Sequence, residues 1–268
     1  MVVIVLRILP ETNDNLMSFA RFGLSLLVLC VPLTTSAQQI SESSYSRLNT
    51  FSGFFEYSND SSHIILGDSE NRKIGAIGFQ YQRRLIHRGL LDLSYTAEIR
   101  PGILESDPTQ IVTLVQTSPT TGVTSGPAYA VVQCQAIAYP PVTTTVPNPP
   151  GPPVVFTDQT VITCGRRTVI EQGFSPVGLR INLMPRHRLQ LTFSSFAGYM
   201  FSTQPVPVPG SGSFNFTFEF GGGLEFYRTH TQSMRLEYQV QHFSNKYTAD
   251  ENPGVDSGLI KLTYTFGR

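Results

Sequence analysis

The feature that most constrains this chain is the alternation of aromatic and polar residues from Phe214 to Phe220. Phenylalanine occupies every second position there, and a polar or acidic residue stands between each pair. Side chains two residues apart lie on the same face of a β-strand, so the segment predicts a strand with one apolar and one polar face. The same pattern continues from Met234 to His242, where Met, Leu, Tyr and Val alternate with Arg, Glu and Gln.

Similar alternation recurs elsewhere and brings the number of predicted strands to eight. Several of these segments reach ten residues or more, whereas strands of soluble proteins usually have about five or six and strands that cross a bilayer about nine to eleven. We therefore expect an all-β fold, an eight-stranded antiparallel transmembrane β-barrel of the bacterial outer membrane. A soluble sandwich or lipocalin-like barrel with a phenylalanine core is the alternative. The six further strands are predicted near 49–58, 73–84, 90–101, 173–184, 188–203 and 257–267.

The composition agrees with a barrel whose two faces differ. Only 14% of residues are charged, against about 25% in ordinary soluble domains. The 19 basic and 19 acidic side chains cancel, which excludes the basic surface of a nucleic-acid-binding protein. We expect the charges on the polar face to pair inside a lumen filled by side chains, and so to leave little room for a channel. These charged residues are Arg180, Glu219, Glu225, Arg235, Glu237 and Lys261.

The N-terminus predicts export. Residues 1–37 form an extension and a cleavable signal peptide, with an apolar stretch over Gly23–Leu33 and small residues up to Ala37. Residues before Met17 add nothing to this pattern, so Met17 is the expected start of translation. The barrel then occupies residues 38–268.

The connections between strands predict short turns on the periplasmic side and longer loops outside, at 59–72, 102–172, 204–213 and 244–256. The 102–172 segment is rich in Pro and Thr, and we expect a long loop without secondary structure, serving as a lid, a surface shield or a lineage-specific insertion. Cys134 and Cys164 lie in it and are candidates for a disulfide in an exported protein. No further ligands stand near them, and three histidines in separate turns are interpreted as solvated, so no metal is expected. These histidines are His87, His187 and His230.

The last outer loop contains the residues of an acid–base–nucleophile set. Extending the alternation of 234–240 places His242 and Ser244 on the apolar, lipid-facing side, and counting back from the final strand gives Asp256 the same orientation. Histidine can accept the proton of a serine hydroxyl, and a carboxylate can fix the histidine tautomer and stabilise its cation. Glu251, in the same loop, is the alternative acid.

The residues His242-Phe243-Ser244-Asn245, followed by Asn252-Pro253-Gly254 and then Asp256-Ser257-Gly258, resemble the lipid A 3-O-deacylase family (PagL-type, often labelled acyloxyacyl hydrolase). Members of that family are eight-stranded outer-membrane barrels that remove an ester-linked acyl chain from lipopolysaccharide. The resemblance implies that His242 is the general base, Ser244 the nucleophile and Asn245 an oxyanion or orienting residue. It places the acid at Asp256, where the best-known members carry Glu.

The resemblance also implies an ester hydrolase that acts on lipid A in the outer leaflet, embedded in the membrane, without a cofactor and without nucleic acid. The sequence leaves open whether the chain forms a homodimer. It also leaves two interpretations of Gly221–Gly223, a groove for an acyl chain or a kink that relieves strain in the barrel. The alternative function is a non-catalytic barrel with a structural, adhesion or small-pore role.

Overall fold

The computed structural model describes residues 45, 47–117 and 128–266, and the predicted signal peptide at 1–37 lies outside them. Within this part of the chain no helix is both long and apolar enough to cross a membrane. The described residues form eleven strands and a short 3₁₀ turn at Pro209–Ser211. The strands are β1 (Asn49–Ser58), β2 (Lys73–Arg88), β3 (Leu91–Thr117), β4 (Ala128–Ala130), β5 (Ile137–Ala138), β6 (Val142–Val146), β7 (Val154–Leu183), β8 (Leu189–Ser202), β9 (Phe214–Tyr227), β10 (Gln232–Ser244) and β11 (Val255–Phe266).

Eight of these strands form a closed ring. The order is β1–β2–β3–β7–β8–β9–β10–β11, every pair is antiparallel, and β11 pairs back with β1. Closure leaves no strand of the ring with an unpaired edge, which is what a sheet in lipid requires. The predicted eight-stranded antiparallel barrel is therefore confirmed. We call the end that carries the 59–72, 204–213 and 244–256 connections the outer end.

The two faces of the ring are sorted as the alternation predicts. Phe216, Phe218 and Phe220 of β9 point away from the ring and are between 41% and 47% exposed, while the residues between them are buried in the lumen. The six charged residues predicted to face inward are all buried. A surface of apolar side chains around a polar interior is the arrangement of a barrel surrounded by lipid.

Ion pairs fill the lumen. Arg100 contacts three carboxylates: Glu56 at 2.6 Å, Glu98 at 3.1 Å and Glu219. Lys261 lies 2.6 Å from Glu98 as well. Charges this deeply buried are tolerated because each has an opposite partner within hydrogen-bonding distance.

An apolar cluster lies at the outer ends of the strands. Phe243, Val255 and Leu259 point inward there, and Val206 from the β8–β9 connection joins them, each with no exposed surface. These apolar side chains and the ion pairs deeper in the barrel together fill the lumen. The small-pore alternative is therefore not favoured, because an eight-stranded barrel has no space left once its interior is packed.

The structure corrects the expectation of a loop without secondary structure at 102–172. β3 continues to Thr117, β7 already begins at Val154, and the two strands stay paired as far as Thr117 and Thr157. We call this two-stranded extension, with β4–β6, the arm. Its many Val and Thr residues favour extended backbone. The consecutive prolines of this segment lie outside the strands, between β5 and β6 and at the turn before Val154.

The arm contains a disulfide between Cys134 and Cys164, whose Cα atoms are 5.6 Å apart. Cys164 belongs to β7, and Cys134 lies in the segment between β4 and β5. The bond thus ties that segment to the longest strand of the barrel.

The glycine triplet of β9 lies where the backbones of β9 and β10 approach closely. Gly221 and Gly223 face the lumen, and an added Cβ atom would overlap the carbonyl oxygen of Tyr238 at the first and that of Leu236 at the second. Glycine permits this close approach of the β9 and β10 backbones. Only Gly222 lies on the outward face.

Candidate functional site

The structure joins His242 and Asp256 across the β10–β11 pair. The two residues are directly opposite each other in the antiparallel register, where side chains on one face are neighbours. His242 Nδ1 lies 2.6 Å from Asp256 Oδ1. Both side chains are on the outward face, in line with the exposed Tyr238. The two orientations inferred from alternation thus bring a base and an acid together on the outer wall.

Asp256 points outward and yet has no exposed surface. The connection between β1 and β2 folds over the wall and covers it. Oδ2 of Asp256 accepts backbone N–H hydrogen bonds from Ile64 at 3.1 Å, from Ile65, and from Leu66 and Gly67 at 2.9 Å each. Consecutive N–H groups that converge in this way form an anion-binding nest. One carboxylate oxygen is therefore held by the loop, and the other is left for His242.

Backbone bonds hold this loop against the start of β11. Asp68 and Ser69 each donate a backbone N–H to the carbonyl oxygen of Gly254, at 2.9 and 3.1 Å. Gly254 also makes room for the histidine ring, since a Cβ atom there would lie 2.7 Å from His242 Cε1. The glycine of the predicted Asn-Pro-Gly turn is therefore required at that position by close packing.

Ser244 is the last residue of β10 and lies two residues beyond His242 on the same outward face, half-buried. It is opposite Phe216 of β9, just as His242 is opposite Phe218. Among the described residues no hydrogen bond joins Ser244 to His242. The structure thus brings the base and the acid into contact and leaves the serine next to them but unbonded.

Asn245 is buried, and its side-chain amide is fully engaged. Nδ2 donates to the carbonyl oxygens of Ser211 and Glu251, and Oδ1 accepts the N–H of Tyr247 at 2.9 Å. Both amide protons therefore hold neighbouring backbone in place. Of the two roles expected for Asn245, this arrangement fits the orienting one.

Glu251, the alternative acid, lies apart from the histidine. It is exposed, and its side chain packs over Gly210 of the β8–β9 connection, where a Cβ atom would lie 2.8 Å from Glu251 Cδ. Among the described carboxylates, Asp256 alone pairs with His242.

Reasoning from the sequence missed the backbone N–H groups of residues 64–67. Hydrogen bonds from the main chain have no residue signature, and this contact joins positions 190 residues apart. One signal was present and unused: Ile64, Ile65 and Leu66 form an apolar run inside a connection predicted to be an exposed loop.

The described residues contain no group of three or more His, Cys, Asp or Glu side chains placed to hold a metal ion.

The fold and the site together define a class, the outer-membrane β-barrels that carry a polar site on the lipid-facing wall. Within it, the model of the lipid A 3-O-deacylase (PagL) family matches residues 155–265, which cover the strands from β7 to β11 and include His242, Ser244 and Asp256. The match covers 111 of the 268 residues of the chain. The protein is an outer-membrane ester hydrolase of the lipid A 3-O-deacylase type, and the match favours this function over a non-catalytic barrel.

The structure is also similar to solved outer-membrane proteins. Neisserial surface protein A is 8% identical with a TM-score of 0.38, and 82% of this chain and 97% of that chain are covered. An outer-membrane channel from Pseudomonas putida F1 is 10% identical with a TM-score of 0.27, covering 85% and 99%. The β domain of the Bordetella autotransporter BrkA is 9% identical with a TM-score of 0.26, covering 83% and 100%. None of the curated proteins compared with the chain matches it.

Proposed function

We propose that His242, Ser244 and Asp256 are the catalytic triad of the deacylase. The observation that carries this proposal is the His242–Asp256 pair at 2.6 Å on the outer wall, with Ser244 two residues further along the same face. Polar groups that face lipid are costly, although less so near the interface. A base, an acid and a hydroxyl gathered at such positions are explained by a substrate that stays in the membrane.

In the proposed reaction Asp256 accepts the Nδ1–H of His242, which leaves the lone pair of Nε2 to take the proton from Ser244. Ser244 Oγ then forms a bond to the carbonyl carbon of the 3-O-linked ester. The resulting oxyanion collapses, the sugar hydroxyl departs with the proton held by His242, and the acyl group remains on Ser244. Water, deprotonated by His242, releases the fatty acid and restores the serine.

The missing Ser244–His242 hydrogen bond is compatible with this mechanism, because such bonds often tighten only in the complex with substrate. Asn245 takes the orienting role, since its amide protons already bind the carbonyl oxygens of Ser211 and Glu251. All three triad members come from one chain, so the proposed reaction requires no second copy.

The test is mass spectrometry of lipid A from a bacterial host that produces the protein in its outer membrane. We expect the loss of one acyl chain with the natural protein and an unmodified lipid A with Ser244→Ala. Ser195→Ala is the matched control, because Ser195 also faces outward, on β8, opposite Phe220 of β9. Deacylation that persists in folded Ser244→Ala would exclude Ser244 as the nucleophile.

A further inference from the structure

Residues 61–69 form the central part of the β1–β2 connection, and we call them the rim loop. Part of the rim loop reaches the outward face of the barrel wall. Asp256 points away from the lumen, and four consecutive N–H groups of the rim loop bind its Oδ2 atom. The two ends of the rim loop pair with the backbone of β11, Ser61 with Ser257 and Ser69 with Val255. Residues 64–67 between them turn over the outward face of Asp256. The rim loop also lies outside residues 155–265, the part matched by the family model.

The side chains of the rim loop are apolar where its backbone binds the acid. Ile64, Ile65 and Leu66 donate their N–H groups inward to Asp256, while their side chains are 44%, 42% and 74% exposed. Three large exposed apolar residues in a row are unfavourable in water. They are expected in a segment that is in contact with lipid, in continuity with the apolar outer wall.

His63 of the rim loop pairs with carboxylates other than Asp256. His63 lies 3.2 Å from Glu70 and 3.7 Å from Asp68. The rim loop thus carries both charged and exposed apolar side chains, the composition of a segment at a lipid interface.

We propose that the rim loop is a lipid-contacting support for the catalytic acid: acyl chains of the outer leaflet cover Ile64, Ile65 and Leu66, and this contact keeps the backbone nest closed on Asp256. The proposal rests on the triad proposed above. It makes residues 64–67 positioning residues, which act through Asp256, and it couples activity to the presence of lipid at the barrel rim. In water the same apolar side chains would favour a different loop conformation, and Asp256 would lose the donors that fix its orientation toward His242.

The first test measures lipid contact without measuring activity. The chain contains no tryptophan, so Leu66→Trp introduces a single fluorophore. In vesicles of phosphatidylcholine with brominated acyl chains we expect strong quenching at position 66. Val142→Trp is the control, because Val142 is 64% exposed and lies on the arm, and it should be quenched several-fold less. Equal quenching at both positions overturns the lipid contact, whether or not the triad is correct.

The second test measures positioning. In Gly67→Ala the added Cβ atom would overlap the backbone nitrogen of Asp256 and lie 2.9 Å from its Cγ atom, which forces the nest open. We expect kcat on lipid A in vesicles to fall about 10²-fold, the cost of misplacing a catalytic group by about 1 Å, with KM within about twofold. Gly75→Ala is the matched control, because nothing lies within 4 Å of its added Cβ atom. Unchanged kcat in Gly67→Ala overturns the positioning role.

The third test links the two. Replacing Ile64, Ile65 and Leu66 together by serine leaves the backbone donors in place and removes the apolar contact, so kcat should fall as in Gly67→Ala. If kcat falls in Gly67→Ala alone, the coupling to lipid is wrong. If Asp256→Asn is fully active, the triad proposal fails and both kcat effects disappear, while the quenching at position 66 remains.

Discussion

The replacement of Asp256 by asparagine tests the site most directly, because the structure determines which way the new amide must turn. An asparagine side chain has one oxygen and one NH₂ group where aspartate has two oxygens. Four N–H donors converge on the Oδ2 position, and His242 faces the Oδ1 position. Each hydrogen bond retained is worth about 1 kcal/mol, so the oxygen prefers the nest by about 4 kcal/mol, or about 10³-fold.

The NH₂ group introduced by Asp256→Asn then faces His242 Nδ1, which has to be unprotonated in order to accept it. The ring proton moves to Nε2, the atom that must take the proton from Ser244, and the base is disabled in its neutral form. The expected loss in kcat is about 10⁴-fold, typical of a triad carboxylate replaced by its amide and equivalent to about 5.5 kcal/mol of transition-state stabilisation.

The assay is the initial rate of acyl loss from lipid A in vesicles, followed by mass spectrometry. Glu251→Gln is the matched control, since it removes the same charge from the same loop at a carboxylate that packs over Gly210 and not beside His242. The reasoning would be refuted if Asp256→Asn kept a rate within about tenfold of the natural protein while Glu251→Gln was inactive. That result would assign the acid to Glu251.

Three further outcomes follow from contacts elsewhere in the molecule. Gly254→Ala should lower kcat about 10²-fold with little change in thermal unfolding, because the new Cβ atom lies 2.7 Å from His242 Cε1; an unchanged rate would show that the ring can move aside. Arg100→Met should destabilise the barrel by about 3–5 kcal/mol, measured by urea unfolding in lipid, because it leaves three buried carboxylates without their shared cation. The double replacement Cys134→Ser/Cys164→Ser should destabilise the arm by about 3 kcal/mol in the chain-entropy model, measured as faster proteolysis of the arm. The deacylation rate should stay unchanged, and a changed rate would indicate that the arm acts as a lid.

Alternation was sufficient to predict the ring and the orientation of its side chains. The outward positions of His242 and Ser244 follow from their spacing from Tyr238, since a strand of regular pleat leaves no other choice. The identity of the acid follows less directly. Asp256 and Glu251 both fall in the segment predicted as the last outer loop, and it is the β10–β11 register that places Asp256 opposite the histidine.

The sequence was least informative where backbone, and not side chains, makes the contact. The N–H groups of the rim loop bind Asp256 across 189 residues of sequence, and a backbone hydrogen bond has no residue pattern that would predict it. The arm was missed for another reason: its alternation is weak and prolines interrupt it, while pairing over the full length of β3 and β7 supplies the order that local preference does not.

The position of Asp256 in the ring has a consequence for the order of assembly. Asp256, the proposed acid, belongs to the last strand, and the N–H donors that bind it follow the first strand. The two meet only when β1 pairs with β11. Before the barrel closes, Asp256 therefore lacks its N–H donors, even if β10 with His242 and Ser244 has already formed. The protein is therefore expected to be inert toward lipids during transit and to gain activity in the step that completes its insertion.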